Sequence, residues 1–410
     1  MNLLDHVRVV ELGQVIAGTF GGMILSDLGA EVIKVEPPGG DPGRRPAIYG
    51  VGERSAIHLF HNRNKKSIVL DLKTAGGREV LLDLVRRSDA VIENFRPGVI
   101  DRLGVGFEVL RSVNPEVILV SVSGFGTDSP YRDLPAYDLI LQAMTGHMAI
   151  MGEPDRPPII MGIPIADLLA GVFAALAVVA GIAGRRERSR ARHFDIAMFD
   201  VMVEMLSHVA TLYLNTGRDQ EPQGSAHPFI TPWQAFRCGD GRYIVVAPRE
   251  EHFWTKLCEA LGFPGLAEQA KFHTAEARHA HRHLLIPRLE GIFASEDSRT
   301  WLQRLRASGV PCAPVNRMPE VFSDPHIQAR RMLRSFRLGD EEFRTVGNAI
   351  KVADEPEPPL LPPPELGRDT EEILATILGY SDDRIRELER QGALGTAHDQ
   401  DSLHPRGGAA

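Results

Sequence analysis

The first half of the chain predicts an α/β protein built on a parallel, doubly wound sheet. Three observations carry that expectation: strands apolar on both faces, helical stretches between them, and glycine-bearing loops at their ends. VRVVEL (7–12) reads as a strand, followed by the loop GQVIAG and a helical stretch to residue 28. EVIKVE (31–36) is a second strand, ended by PPGGDPG. SIVLDL (67–72), a helix over 75–87 and AVIENF (90–95) repeat the pattern, and VILVSVSGFG (117–126) adds a strand running into a glycine-containing loop. Residues 136–215 read as helices around one strand, HFDIAMF (193–199). After a loop, residues 220–318 alternate short strands and helices as a smaller second domain, and a return segment begins at DPHIQARRML. PEPPLLPPP (356–364) holds six prolines in nine residues, the composition of an extended spacer. TEEILATILGYSDDRIRELERQG (370–392) is a helical pair, and HDQDSLHPRGGAA a frayed tail.

Composition narrows the class. A chain of 410 residues suggests two or three domains, and 43% hydrophobic with 24% charged residues is globular. The net charge of −8 gives no global attraction for polyphosphate, so no nucleic-acid partner is expected, although a local basic pocket for a small polyanion is allowed. Cys238, Cys258 and Cys312 form no CxxC pair, which fits a reducing compartment. MNLLDHVRVVELG lacks the basic n-region and apolar stretch of a signal peptide, so a cytoplasmic location is expected. The uncharged run 168–184 is at the short end for a bilayer span. Its alanine and glycine content, directly after Asp167, favours a buried central helix, and no membrane partner is expected.

Several groupings invite chemistry. The first βαβ unit, with Glu36 ending its second strand, has a dinucleotide layout, but Gly13, Gly18, Gly21 and Gly22 do not spell G-x-G-x-x-G. His273, His279, His281 and His283 lack a carboxylate partner in register; only His279 and His283 would share a helix face, so no metal is expected. NRNKKS (62–67) and ENFRPG (93–98) with Arg102 place cations near strand ends, as a solvated face or as a phosphate pocket. Asp167, in MGIPIADLLAG, sits where a helix begins. It is either a structural cap or a carboxylate nucleophile for an activated carbonyl; sequence physics leaves both open.

The ordered segments RVVELGQVIAGTFGGMILSDLGAEVIKVE, NRNKKSIVLDLKT, VIENFRPGVIDRLG, AYDLILQAMTG, GIPIADLLAG, AHPFITPWQAF, DGRYIVVA, GVPCAPVN and DPHIQAR resemble the class III CoA-transferase family, the group of formyl-CoA and carnitine CoA-transferases. The resemblance implies a catalytic role for Asp167. It implies coenzyme A contacts, as acyl-CoA substrate, from Val15, Ile16, Ala17, Leu70, Lys73, Asn94, Phe95, Arg102, Leu103, Tyr137 and Met198. It also implies a discontinuous Rossmann-like large domain, a small α+β domain and a homodimer whose chains interlock like linked rings. Expected boundaries are 1–215 for the N-terminal part of the large domain, 220–318 for the small one, 320–392 for the return that completes the large one, and 393–410 for a tail.

An α-methylacyl-CoA racemase is the rival within that superfamily. Racemases carry His–Asp where this chain has Tyr137–Asp138, and moving an α-proton needs a base and an opposing acid, so transfer is favoured. A non-catalytic nucleotide-binding protein is the third reading. No run of consecutive glycines forms a small-domain flap, and Ile16 stands where formyl-CoA transferase has a glutamine, although Gln14 is close. The stretch around Leu212, Tyr213 and His227 is more similar to transferases that move CoA between dicarboxylic acids, with succinyl-CoA as a frequent donor. A free acceptor carboxylate calls for an arginine, and Arg44 and Arg45 are candidates beside Gln14 in the acyl site.

Overall fold

The computed structural model describes residues 2–46, 49–186 and 190–395. The tail from residue 396 onward therefore lies outside the described residues. By internal packing the chain divides into two units, Met1–Thr145 with Met161–Ser207 and Gln328–Ala410, and Gly146–Ile160 with His208–Ile327.

The larger unit is organised by six strands: β1 (Arg8–Glu11), β2 (Glu31–Glu36), β3 (Lys66–Val69), β4 (Ala90–Glu93), β5 (Ile118–Ser123) and β6 (Arg192–Ala197). All neighbours are parallel and the order is β3-β2-β1-β4-β5-β6, the doubly wound arrangement. Alternation along each strand feeds two cores. Val10, Ile33, Ile68, Val91 and Leu119 face helix α2 (Ala75–Arg86) and the C-terminal Ile373, Leu374 and Leu388. Val9, Val32, Ile92 and Val120 face the other way, onto α1 (Ala17–Asp27) and α4 (Ile165–Ala183), with α3 (Asp138–Met144) and α5 (Met198–Met205) beside them. Strand six ends at Ala197, so Met198 opens a helix rather than continuing the expected strand.

Small residues on α4 serve close packing. A Cβ on Gly171 would stand 2.8 Å from Phe20 Cβ and 2.9 Å from the Ala17 carbonyl, and one on Gly181 would stand 2.7 Å from Ile118. Among the described residues, α4 alone is long and apolar enough to cross a membrane. Its Gly/Ala side is consumed by α1 and β5, while Val172 and Leu176 remain 43% and 59% exposed.

The smaller unit holds an antiparallel sheet, β7 (Gln234–Arg237), β8 (Tyr243–Val246) and β9 (Cys312–Pro314), in the order β9-β8-β7. Its core centres on Trp254, Phe293 and Trp301. The histidine-rich segment breaks at His281 into helices Ala275–Ala280 and Arg282–Phe293, so His279 and His283 do not share one helix. Residues 356–364 carry no regular structure, in keeping with their prolines. Leu361 N–H bonds the Asn64 side chain at 2.7 Å and fixes the spacer to the larger unit.

The α1–α4 contact leaves no room for a side chain at its centre. Gly171→Val is expected to cost about 1–3 kcal/mol, as overpacking does, read as a lowered denaturation midpoint. An unchanged midpoint would refute so close an approach.

Candidate active site

Chain direction creates a cleft at the carboxyl ends of β1 and β4. After β1 the chain turns to α1 on one face; after β4 it supplies Ile100, Val105 and Leu110 to the other. Such a divergence is where doubly wound sheets bind ligands. A cavity of about 430 Å³ lies there, lined by Gln14–Ala17 after β1, Asn94–Pro97 after β4, Val122–Gly124 at the end of β5, and Arg132 with Leu134–Tyr137. Asp167 and Met198 complete the lining.

Nine expected site residues are thereby brought together: Gln14, Val15, Ile16, Ala17, Asn94, Phe95, Tyr137, Asp167 and Met198. Asn94 ties two of the segments, accepting from Gln14 N–H at 2.8 Å and donating to the Gln14 carbonyl at 3.0 Å. Gly124 admits the 134–137 segment, since a Cβ there would lie 2.2 Å from Ala136 Cβ. Other expected residues stand outside the lining. Leu70 is buried and bridges to Leu394, Lys73 is exposed on the turn before α2, and Leu103 packs against the core. Arg44 does not serve as a free acceptor-binding arginine, because its guanidinium grips both Glu36 oxygens at 2.6 Å. Arg45 is exposed and absent from the lining.

Glu36 is equally committed. Arg44 and the Ser67 hydroxyl occupy its carboxylate; burial would raise its pKa, but the Arg44 hydrogen bond and charge, with Lys34 behind them, bring it down to about 2. It offers nothing to a ribose. The NRNKKS cations are likewise spent: Arg63 on Asp27, Lys65 on Glu11, and Lys66 on Glu31 and Glu372.

The ENFRPG side differs. Arg96 lines the cavity, and the guanidiniums of Arg102 and Arg132 both come within 3.3 Å of where a Cβ on Gly98 would stand. Among the described residues none of the three has an acidic partner. Arg132 went unnoticed in the sequence because nothing local distinguishes it from a solvated loop charge.

Asp167 occupies the first turn of α4, preceded by Pro164, which makes no side-chain cap. The cap comes instead from α3: Asp138 accepts the Ala166 N–H at 2.7 Å, and Gln142 bonds Asp138 and the Met161 N–H. Asp138 is the second residue that sequence reasoning missed, although its dipeptide with Tyr137 was in view. No hydrogen bond reaches the Asp167 carboxylate among the described residues. Its pKa is pushed up to about 7, first by burial and then by the Asp138 charge, against the pull of the helix N-terminus. Beneath the loop after β4, burial also raises Glu93 to about 7 while its carboxylate accepts the Phe95 N–H at 2.6 Å. A carboxyl group raised in this way keeps its proton to higher pH than an ordinary aspartate or glutamate does.

Asp138→Asn keeps an acceptor for Ala166 and removes the neighbouring charge. Carboxyl titration followed by NMR is expected to show Asp167 titrating at lower pH and Glu93 unmoved. An unmoved Asp167 would contradict the stated coupling.

Comparison with known proteins gives the geometry a family. The chain is 37% identical to a succinyl-CoA:mesaconate CoA-transferase of Haloarcula hispanica, over 86% of this chain and 91% of that protein. It is 34% identical to the succinyl-CoA:glutarate CoA-transferase of Homo sapiens, over 98% and 91%. Among solved structures, a CaiB/BaiF family protein from Brucella suis superposes with a TM-score of 0.81 at 35% identity, covering 90% of this chain and 97% of that one. The sequence model of CoA-transferase family III matches residues 4–370, and the chain belongs to that family.

Proposed function

We propose that the cavity binds an acyl-CoA, succinyl-CoA by preference, and that Asp167 transfers its CoA to a dicarboxylic acid. One observation carries the reading: a partly buried aspartate, without a hydrogen-bond partner among the described residues, closes a cavity at the sheet's divergence point. The names of the relatives, which pair succinyl-CoA with mesaconate or glutarate, support the substrate class.

The chemistry balances with acyl and thiol groups alone. An Asp167 oxygen attacks the thioester carbonyl; the C–S bond breaks and CoA thiolate leaves, giving an acyl–aspartyl anhydride. The thiolate attacks the aspartyl carbonyl and expels the donor carboxylate, leaving an Asp167–CoA thioester. The acceptor carboxylate attacks that carbonyl, forming a second anhydride and freeing thiolate again. Thiolate attack on the acceptor's carbonyl releases acceptor-CoA and regenerates the Asp167 carboxylate. Each carbonyl passes through an oxyanion, and the bound CoA handle keeps every step effectively intramolecular. Neither a metal nor a redox group takes part in this scheme.

Charge placement suggests who holds what. The convergent Arg102 and Arg132 suit a CoA phosphate, as paired guanidiniums do. Arg96, inside the cavity lining, suits the distal carboxylate of the acceptor in place of Arg44. In this proposal the larger unit is the CoA-binding domain. A homodimer belongs to the same reading, the open Val172 and Leu176 side of α4 being apolar surface for it to cover.

Succinyl-CoA incubated with a panel of dicarboxylates is expected to yield new acyl-CoA without ATP, and Asp167→Ala to abolish that exchange while remaining folded. Exchange by the variant would overturn the assignment. Arg102→Ala and Arg132→Ala are each expected to raise the acyl-CoA KM about tenfold, the loss of one charge-assisted hydrogen bond, and to flatten its salt dependence. Unchanged KM and salt response would remove both from the phosphate site.

A further inference from the structure

The loop after β1 lines the cavity in a conformation its own sequence disfavours. Val15 has φ +59°, in the left-handed region that a β-branched side chain rarely enters. Such a residue persists only where its surroundings over-determine it. The surroundings here are charged and buried. Asp41, 2% exposed, receives the Val15 N–H at 3.1 Å and 3.3 Å on its two oxygens and the Gly43 N–H at 2.7 Å. Lys34, fully buried, sits 2.8 Å from Asp41, 3.2 Å from Glu11, and donates to the Gly13 carbonyl at 2.7 Å. Lys65 then pairs with the other Glu11 oxygen at 2.7 Å and donates to the Thr19 carbonyl at 2.9 Å. The four charges alternate in sign, so none is left uncompensated in the interior.

Gly13 is held through its carbonyl and Val15 through its N–H, while Asn94 takes both backbone groups of Gln14 from the opposite side. Three consecutive residues thus have their backbone fixed by side chains from β2, the 41–44 turn and the loop after β4. Burial alone would neutralise Lys34 and Asp41; each instead holds the other ionised, Lys34 above and Asp41 below its ordinary value.

We propose that the buried Lys34–Asp41 pair is a positioning element of the cavity, holding the Gly13–Ala17 loop in its left-handed turn so that the ligand meets a pre-formed surface. The inference rests on the cavity being the acyl-CoA site. Neither side chain lines the cavity, so both act through the loop. Pre-organisation of this kind lowers the ordering cost of binding and leaves the chemical step alone.

Asp41→Asn keeps the size and one acceptor but removes the charge that Lys34 pairs with. The expected result is faster amide hydrogen exchange confined to residues 13–17, and an acyl-CoA KM raised about tenfold with kcat preserved within about threefold. Adding Val15→Gly is expected to bring KM back most of the way, since glycine takes positive φ without steric cost. A merely structural role would lower thermal stability and the active fraction, leave KM alone, and worsen with the added glycine. Unaltered loop exchange in Asp41→Asn, or a KM that Val15→Gly does not restore, would overturn the proposal. If Asp41→Asn does not fold, Lys34→Met with Asp41→Asn removes both charges and carries the same readouts. An enzyme that shows no acyl-CoA exchange at all would sink the cavity reading, while the hydrogen-exchange comparison would still decide the loop.

Discussion

The divergence of the chain after β1 and β4 is the constraint on which the rest depends. Two parallel neighbours send their connections to opposite faces, so no helix covers their carboxyl ends. The loops there must supply their own order, and they do so with side chains instead of regular structure: Asn94 spans the gap, Asp41 holds Val15, and Asp138 caps the helix that delivers Asp167. Gly124 lets the 134–137 segment close over it, and Gly171 lets α4 approach α1.

Electrostatics then separates the charges that build from those left available. Glu36 with Arg44, Asp27 with Arg63, and Glu11 with Lys34 and Lys65 are buried and paired, and breaking any of them would strand a charge in the core. Asp167, Arg96, Arg102 and Arg132 have no such partners among the described residues. For Asp167 the helix N-terminus favours the anion, while burial and Asp138 oppose it and prevail. The outcome is a carboxylate more basic than an ordinary aspartate, which suits the nucleophilic role proposed for it.

The sheet was legible because its strands are largely apolar on both faces and alternate with helical stretches, the pattern of a parallel sheet covered on both sides. Strands at 8–11, 31–36 and 90–93 sit within or on the segments read from the sequence. Eight residues named by resemblance, together with Gln14, also meet in one cavity. The fate of individual cations was not legible. Lys65 finds Glu11, 54 positions away, and Arg63 finds Asp27, 36 away, so local charge runs said nothing about availability. Arg44 resembled a free arginine for the same reason, eight residues from the Glu36 that binds it. The left-handed Val15 was hidden too, because its cause is a carboxylate on another loop.

Covalent catalysis at Asp167, as proposed, would leave a trace that mass spectrometry can read after incubation with succinyl-CoA alone. A CoA thioester is expected on the peptide containing Asp167, removed by hydroxylamine. An unmodified peptide, or an adduct on another residue, under conditions where the enzyme turns over would contradict it.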